Sequence, residues 1–361
     1  MLKVLWVCPN LNHYKYKYLN YLNTFSSIEI TILSGSGSRK SGHIDPLKNL
    51  PIKIIPLKVS KQNFGFSKIV KATIKKIFHA YDYIMLPRER KNIFLIIYTY
   101  HLLKNRSTKM FSYNHPVSFS GRHYNIFDIF FTRFLHNFYD KIIFYTKTSY
   151  KLALDLKLIP HDKAFFANNT VFTKEIEEIY KFKVPSCDKI NFLFIGRLIK
   201  DKNLKVLFDY YLKIKSILGI SGVSIELTII GDGPEKDLVL QYANDKDNIN
   251  WVGPLTKESE IMKYMLDANF IFNPGHSGLH INHALAYGRP YITIFRYNHA
   301  PEIDYIKDGY NGFILDGEKD IDRLVDICRS DNFKELCHNS YESGKELTTD
   351  NWCNQIIKAL N

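Results

Sequence analysis

The sequence predicts an α/β protein built from two doubly wound, parallel-sheet domains in tandem, and three observations carry that prediction. Short apolar runs alternate with longer amphipathic stretches along all 361 residues, the pattern of parallel strands covered by helices on both faces. The periodicity lapses around Tyr180–Lys189 (YKFKVPSCDK), and the charge balance flips there. Residues 1–190 carry 30 Lys and Arg against 12 Asp and Glu, whereas residues 191–361 carry 19 against 24. Finally, Asn191–Asn203 (NFLFIGRLIKDKN) reads as an apolar strand that stops at Gly196 before an amphipathic helix, Leu204–Leu218. Open α/β sheets bind ligands at such junctions, beyond the carboxyl ends of their strands.

Taken in order, the first half places strands at Lys3–Cys8, Glu29–Leu33, Ile52–Pro56, Tyr83–Leu86, Lys109–Tyr113, Lys141–Tyr145 and Ala164–Ala167. Helices fit Phe66–His79, Lys91–Lys104, Ile126–Asn137 and Ser149–Lys157. Ser34–Gly42 (SGSGSRKSG) has loop composition. The basic, aromatic run Tyr14–Tyr21 (YKYKYLNY) suits a helix edge beside the cleft or a membrane-facing rim more than a surface that stacks on bases, and Phe127–Tyr145 mixes Phe and Tyr with Arg133 and Lys141, as core packing or an interfacial face would. The second half repeats the pattern, with strands at Phe192–Ile195, Ile225–Ile230, Ile249–Val252, Phe270–Asn273, Tyr291–Thr293 and Gly312–Leu315. The domains are therefore set at 1–185 and 186–345, with a last helix in 346–361 that joins whichever domain buries Trp352, Ile356, Ile357 and Leu360. Clefts between such domains are favoured ligand sites.

Composition narrows the class. Hydrophobic residues make up 45% and charged residues 24%, which excludes a disordered chain, and the net charge is +13. A basic body attracts nucleic acid, anionic lipid or phosphorylated ligands. No nucleic-acid motif is present. The five cysteines (Cys8, Cys187, Cys328, Cys337, Cys353) are scattered without metal spacing and fit a reducing compartment. The N-terminal apolar run is too short for a signal peptide. The most apolar run, Asn92–Leu103, falls short of the roughly 20 residues a membrane span needs. A cytoplasmic protein is expected, with any membrane contact peripheral, on the inner face of the cytoplasmic membrane.

Chemistry concentrates in the second half. Arg197 and Lys202 follow the strand and precede a helix, and a forked guanidinium with a point-charge ammonium suits a diphosphate. In GDGPE (231–235) the glycines permit a sharp turn and Pro234 suits a first helical turn. Gly278–Leu279 opens a helix whose free N–H groups face outward along its axis. Glu302 sits in the first turn of a short helix.

From Asn191 onward the sequence resembles the retaining glycosyltransferases of family 4, which have the two-domain GT-B fold, two Rossmann-like domains facing across a cleft. The resembling segments are FIGRLIKDKN (194–203), LTIIGDGPEKDLV (227–239), NINWVGPL (248–255), ANFIFNPG with HALAYGRPYIT (268–293) and APEIDYIKDGYNGFI (300–314). The resemblance implies that Arg197 and Lys202 hold the diphosphate of a sugar nucleotide and support catalysis. It implies that the backbone at Val252 and Gly253 meets the base, and that Glu302 is an acid near the donor. The family usually carries two glutamates eight positions apart, and those positions hold Gly275 and His283 here. A subgroup of bacterial family 4 enzymes has a similar glycine-rich turn followed by histidine. On that likeness Gly275, Gly278, Leu279 and His283 join the donor side, His283 through a ring nitrogen to ribose. In the first half, MFSYNHPVSFSGRH (110–123) places His115 past a strand end, where the family keeps a catalytic histidine. Arg122, His123, His13 and Asn169 are acceptor-side candidates.

The resemblance implies transfer of a sugar from a nucleotide diphosphate to a saccharide or lipid-diphosphate acceptor in capsule, O-antigen or exopolysaccharide synthesis. Attack on the same face retains the anomeric configuration, with no protein nucleophile, no cofactor and no metal. A sugar-nucleotide epimerase or hydrolase, or a non-catalytic sugar-nucleotide-binding relative, is the alternative.

Overall fold

The computed structural model describes residues 1–8, 11, 13–35, 51–57, 68–115, 125–186, 188–220, 222–243, 247–296, 299–329 and 332–361. Its residues form two units, Met1–Asn168 with Thr349–Asn361, and Asn169–Thr348.

Unit 1 is a seven-stranded parallel sheet. Its strands are β1 (Leu2–Cys8), β2 (Ile28–Gly35), β3 (Lys53–Leu57), β4 (Tyr83–Met85), β5 (Lys109–Asn114), β6 (Lys141–Phe144) and β7 (Ala164–Phe166). They lie in the order β3-β2-β1-β4-β5-β6-β7, so the winding reverses between β1 and β4. Helices α1 (His13–Leu22), α2 (Lys68–Ile77), α3 (Ile93–Leu103), α4 (Ile126–His136) and α5 (Lys147–Asp155) connect them. Asn125 and Thr146 cap α4 and α5 by accepting the Asp128 and Ser149 N–H groups.

Unit 2 opens with α6 (Lys174–Ile179) and runs through β8 (Lys189–Ile195), α7 (Leu204–Ile220), β9 (Ser224–Ile230), α8 (Lys236–Tyr242), β10 (Ile249–Gly253) and α9 (Glu258–Asp267). It continues with β11 (Phe270–Phe272), α10 (His280–Ala286), β12 (Tyr291–Ile294), β13 (Gly312–Leu315), α11 (Ile321–Arg329) and α12 (Phe333–Lys345). The sheet order is β10-β9-β8-β11-β12-β13, with every pairing parallel. The unbroken apolar run of β8 has a direct cause. Phe192 and Phe194 pack into one core with Leu227 and Ile229, while Leu193 packs on the opposite face with Ile271 and Ile281.

The division falls at 168/169, ahead of the charge flip that marks 185/186 in the sequence. Ile176 of α6 and Tyr180 pack with Leu193, Met265 and Tyr287, which ties this segment to unit 2. The last helix, α13 (Thr349–Leu360), belongs to unit 1. Its Trp352 is buried beside Trp6, Tyr18 and Tyr113, and its indole N–H donates to the Tyr113 hydroxyl at 3.0 Å. Tyr18 lies in the YKYKYLNY run, so that run packs one side into the core. Most of Ser34–Gly42 lies outside the described residues. No described helix is long and apolar enough to cross a membrane.

Candidate functional site

The carboxyl edge of the second sheet is assembled by close backbone packing. After β8, Gly196 leads into Arg197 and Leu198, and this segment is gripped by the glycine turn that follows β9. A Cβ at Gly231 would stand 1.8 Å from the Gly196 carbonyl oxygen, and one at Gly233 would stand 2.4 Å from that of Leu198. The Leu198 N–H donates to Asp232 O and the Glu235 N–H to Leu198 O, both at 2.9 Å. The Trp251 indole N–H donates to Gly231 O at 3.0 Å and braces the same turn. These glycines therefore exist for close approach.

A second grip holds the lysine. Lys200–Lys202 forms a 3₁₀ turn closed by Asn203 in the left-handed region (φ 52°) before α7 begins. The loop after β11 lies against it, with the His276 N–H donating to Asp201 O at 2.8 Å. A Cβ at Gly275 would fall 2.3 Å from the Lys202 Cα and carbonyl carbon. No side chain fits there, so the position the family gives to glutamate is filled by backbone contact.

Lys202 is only 5% exposed, and its ammonium donates to the His276 carbonyl. Burial first, opposed by Asp201 and aided by Arg197 and Arg296, brings its pKa down to about 8. Arg197 is exposed. Arg296, two residues beyond β12, donates to Asp201 O at 2.9 Å and so stands over the same turn. His280 abuts Gly196, where a Cβ would meet its Nε2 at 3.0 Å. Its Nδ1 is buried without a hydrogen-bond partner among the described residues. Burial first, then Lys202, His283, His276 and Arg197, hold its pKa well below the imidazole range. His276 is lowered by burial and Lys202. Three permanent or near-permanent cations and two neutral imidazoles thus share one edge, at the ends of β8, β11 and β12. A buried ammonium whose hydrogen bond among the described residues goes to a carbonyl, with further cations around it, has the electrostatics of an anion site.

Beside it lies one buried acid. Glu302, in the 3₁₀ turn Pro301–Tyr305, is 3% exposed. The Asn169 amide donates to its Oε1 at 2.5 Å, and its Oε2 has no partner among the described residues. Burial raises its pKa, with Asp304 adding to the rise and its own backbone N–H and Asn169 opposing it. A Cβ at Gly278 would lie 3.8 Å from that free oxygen. Asn169 is itself fixed, since its carbonyl accepts from the Asn282 amide at 2.7 Å and the Tyr305 hydroxyl at 3.3 Å.

The structure thus brings together Arg197, Lys202 and Gly275 around one turn, and Gly278, Glu302 and Asn169 around another, with Leu279 the residue before α10. His283 points elsewhere: its Nε2 pairs with Glu258 Oε1 at 2.8 Å, and the Tyr287 hydroxyl donates to the same oxygen. Val252 and Gly253 end the edge strand β10, where Gly253 adopts φ 92° and nothing lies within 4 Å of where a Cβ would be. In unit 1, His115 follows β5, and its carbonyl accepts from the half-buried Arg88 guanidinium at 2.7 Å. Burial lowers the Arg88 pKa to about 10. His13 opens α1 with its side chain outside the described residues, as are Arg122 and His123. Arg296, His276 and His280 were not singled out from sequence. The signal for Arg296 is its place just past a strand end, the same place that marks Arg197.

Two doubly wound parallel sheets, one in each unit, are the architecture of the GT-B fold. Residues 175–346 match the family model described as Glycosyl transferases group 1. That segment is just under half of the chain, and over it the chain resembles the group 1 glycosyltransferases. No curated protein matches the chain by sequence. Among solved structures, the lipopolysaccharide outer core galactosyltransferase WaaB in its apo form superposes with a TM-score of 0.68 at 15% identity, covering 99% of both chains. Anabaena Alr3699/HepE, in complex with UDP and glucose, gives 0.65 at 14% identity over 100% of this chain and 99% of that one. A mutant of S. aureus TarM bound to fondaparinux, alpha-GlcNAc-glycerol and UDP gives 0.64 at 11% identity over 100% of each. At these identities the likeness is one of fold.

Proposed function

We propose that the enzyme transfers a sugar, with retention of anomeric configuration, from a uridine diphosphate sugar to a saccharide or lipid-linked acceptor of a surface polysaccharide or glycolipid. The observation that carries this reading is Lys202, a buried ammonium pressed down to about 8 beside Arg197 and Arg296. As the bond from the anomeric carbon to the diphosphate breaks, negative charge grows on the departing nucleotide. Cations already fixed in place stabilise that charge without reorganising. The choice of uridine rests on the UDP bound in HepE and TarM. Gly278 and Leu279 border the leaving group in this reading, and Glu302, clamped by Asn169, borders the sugar. The base would lie over the bare Gly253 strand end. His115 and its neighbours in unit 1 serve the acceptor.

The test is a thermal-shift panel of UDP-, GDP-, ADP- and CMP-sugars, because a ligand bound only by the folded state raises the midpoint. UDP-sugars are expected to raise it, and Arg197→Ala and Lys202→Ala to abolish the rise. A rise that survives both substitutions removes the assignment. Donor consumption that requires added acceptor, with the product's anomeric configuration read by proton NMR, then separates transfer from hydrolysis or epimerisation.

A further inference from the structure

We propose that the glycosyl group of the donor is a uronic acid and that Arg296 reads its carboxylate. The assignment deepens the donor-site reading above and rests on it. Arg296 stands two residues beyond β12, at the carboxyl edge of the second sheet. Its guanidinium donates to Asp201 O at 2.9 Å, and the His276 N–H donates to the same oxygen at 2.8 Å. One carbonyl therefore gathers the turn that carries Lys202, the loop after β11 and the end of β12. The other contact of Arg296 is weaker. Asp201 Oδ1 lies 3.4 Å away on a side chain that is 50% exposed, so solvent screens the pair. A guanidinium carries more N–H donors than these contacts engage among the described residues. The backbone fixes where Arg296 stands, and its charge remains available to a ligand.

The polar groups at this edge suit an acidic sugar better than a neutral one. A sugar nucleotide bears one negative charge on each phosphorus of its diphosphate, and in the donor reading Arg197 and Lys202 answer those charges. Arg296 is a further cation, for which a neutral hexose offers no counterion. The loop beside it, Pro274 to Gly278, contains no acidic residue. A Cβ at Gly275 would fall 2.3 Å from the Lys202 backbone, so none fits at that position. Ser277 and Asn273 are buried and engaged by the loop and its neighbours: the Ser277 hydroxyl donates to Gly275 O and accepts from Tyr291, and Asn273 Oδ1 accepts from the Gly275 N–H. His276 is half-buried, and burial with Lys202 lowers its pKa, which keeps the ring neutral. A neutral imidazole exchanges hydrogen bonds with hydroxyls, whereas a planar guanidinium matches a carboxylate through parallel N–H bonds. Glu302 stands at the other end of this loop, over Gly278, where an acceptor for a sugar hydroxyl is useful and a second anion is not.

The experiment is calorimetric titration of the full chain with UDP and with two matched pairs, UDP-glucuronate against UDP-glucose and UDP-galacturonate against UDP-galactose. The members of each pair differ only in the group on the last carbon of the hexose. At least one acid is expected to bind about tenfold more tightly than its neutral partner, within the range of a hydrogen bond to a charged group. Arg296→Gln should bring that ratio to about one, and Arg296→Lys should keep part of it. Asp201→Asn removes the competing carboxylate and keeps the carbonyl, so it should raise the ratio about twofold, the weight of an exposed ion pair. Ratios cancel any loss shared by all ligands. Binding of UDP with no preference in either pair, or a preference that survives Arg296→Gln, overturns the assignment and leaves the donor site standing. An Arg296→Gln protein that loses UDP, acid and neutral sugar nucleotide by the same factor makes Arg296 a third diphosphate cation and overturns it too. Failure of UDP itself to bind overturns the donor-site reading along with it.

Discussion

The two units use positive charge in opposite ways. The second half of the chain is slightly acidic, with 19 basic against 24 acidic residues, yet its site is built of cations. Lys202 is buried, Arg296 is pinned to the Asp201 backbone, and Arg197 bears on Lys202 through space. Unit 1 draws most of its residues from the strongly basic half, but most of that charge is spread over a surface that also exposes aromatic side chains along α4. A few cations clustered around one buried ammonium act on one ligand at short range. Many cations on a surface act on an extended anion and are screened by salt. Net charge alone points to the first half, whereas the clustered cations Arg197, Lys202 and Arg296 lie in the second.

The largest effect should separate the units by their cores. Trp352 is 1% exposed among Trp6, Tyr18 and Tyr113 and donates its indole N–H to Tyr113. Trp352→Ala opens a cavity in unit 1 and is expected to cost about 3–5 kcal/mol. Urea unfolding followed by circular dichroism should show an early transition for unit 1, with the nucleotide-sensitive transition of unit 2 unmoved. A loss under about 1 kcal/mol would mean that α13 is not the staple that burial makes it.

How much of this was legible beforehand follows from what is local. The alternation of strands and helices gave both sheets, because each parallel strand buried on both faces must be apolar throughout, as β8 is. Arg197 and Lys202 could be found because they follow their own strand within a few residues. Arg296 could not, since it meets Lys202 only through a sheet order that sets β8 next to β11 and β12 and passes over β9 and β10. Gly275 was visible as a departure, but its reason, a backbone 2.3 Å from any Cβ, is a tertiary fact. Position counting sent His283 toward ribose, whereas its partner Glu258 stands on a helix 25 residues earlier. The change of unit at 168/169 escaped notice because α6 is short, and its attachment shows only in packing.

Lys202 tests the contrast between sheltered and spread charge. Lys202→Met removes a buried cation that meets only a carbonyl, so the ligand-free protein should be as stable as the wild type or more stable. Affinity for UDP should fall about a hundredfold, the usual loss when one partner of a buried charge pair is removed. The sign of the pH dependence follows from a folded pKa of about 8 against the ordinary 10.5. Between these values the unfolded chain holds the extra proton, so ligand-free stability rises with pH across that window. In the proposed reading UDP binds the ammonium, so its affinity should decline above about pH 8, and calorimetry should show proton uptake on binding there. Lys202→Met should flatten both trends. An affinity independent of pH between 7 and about 9.5 would detach Lys202 from the diphosphate.

The smallest effect concerns Glu302, the one buried acid at this edge among the described residues, and asks whether it reads the sugar or only packs. Glu302 gives one carboxylate oxygen to Asn169 and leaves the other buried over Gly278 without a partner among the described residues. Leaving such an oxygen unsatisfied costs about 1–3 kcal/mol, a cost that a hydroxyl of the bound sugar would remove by donating to it. Glu302→Gln keeps the shape and the oxygen facing Asn169, but it turns the free acceptor into an amide donor. Affinity for a UDP-sugar should then fall about tenfold, within the range of a hydrogen bond to a charged group, while affinity for UDP itself stays the same. Calorimetric titration of both ligands into both proteins gives the comparison as a ratio, which cancels any general effect on folding. Equal losses for UDP and UDP-sugar would make Glu302 a prop for the Gly278 turn, and no loss for either would make its free oxygen a feature of packing alone.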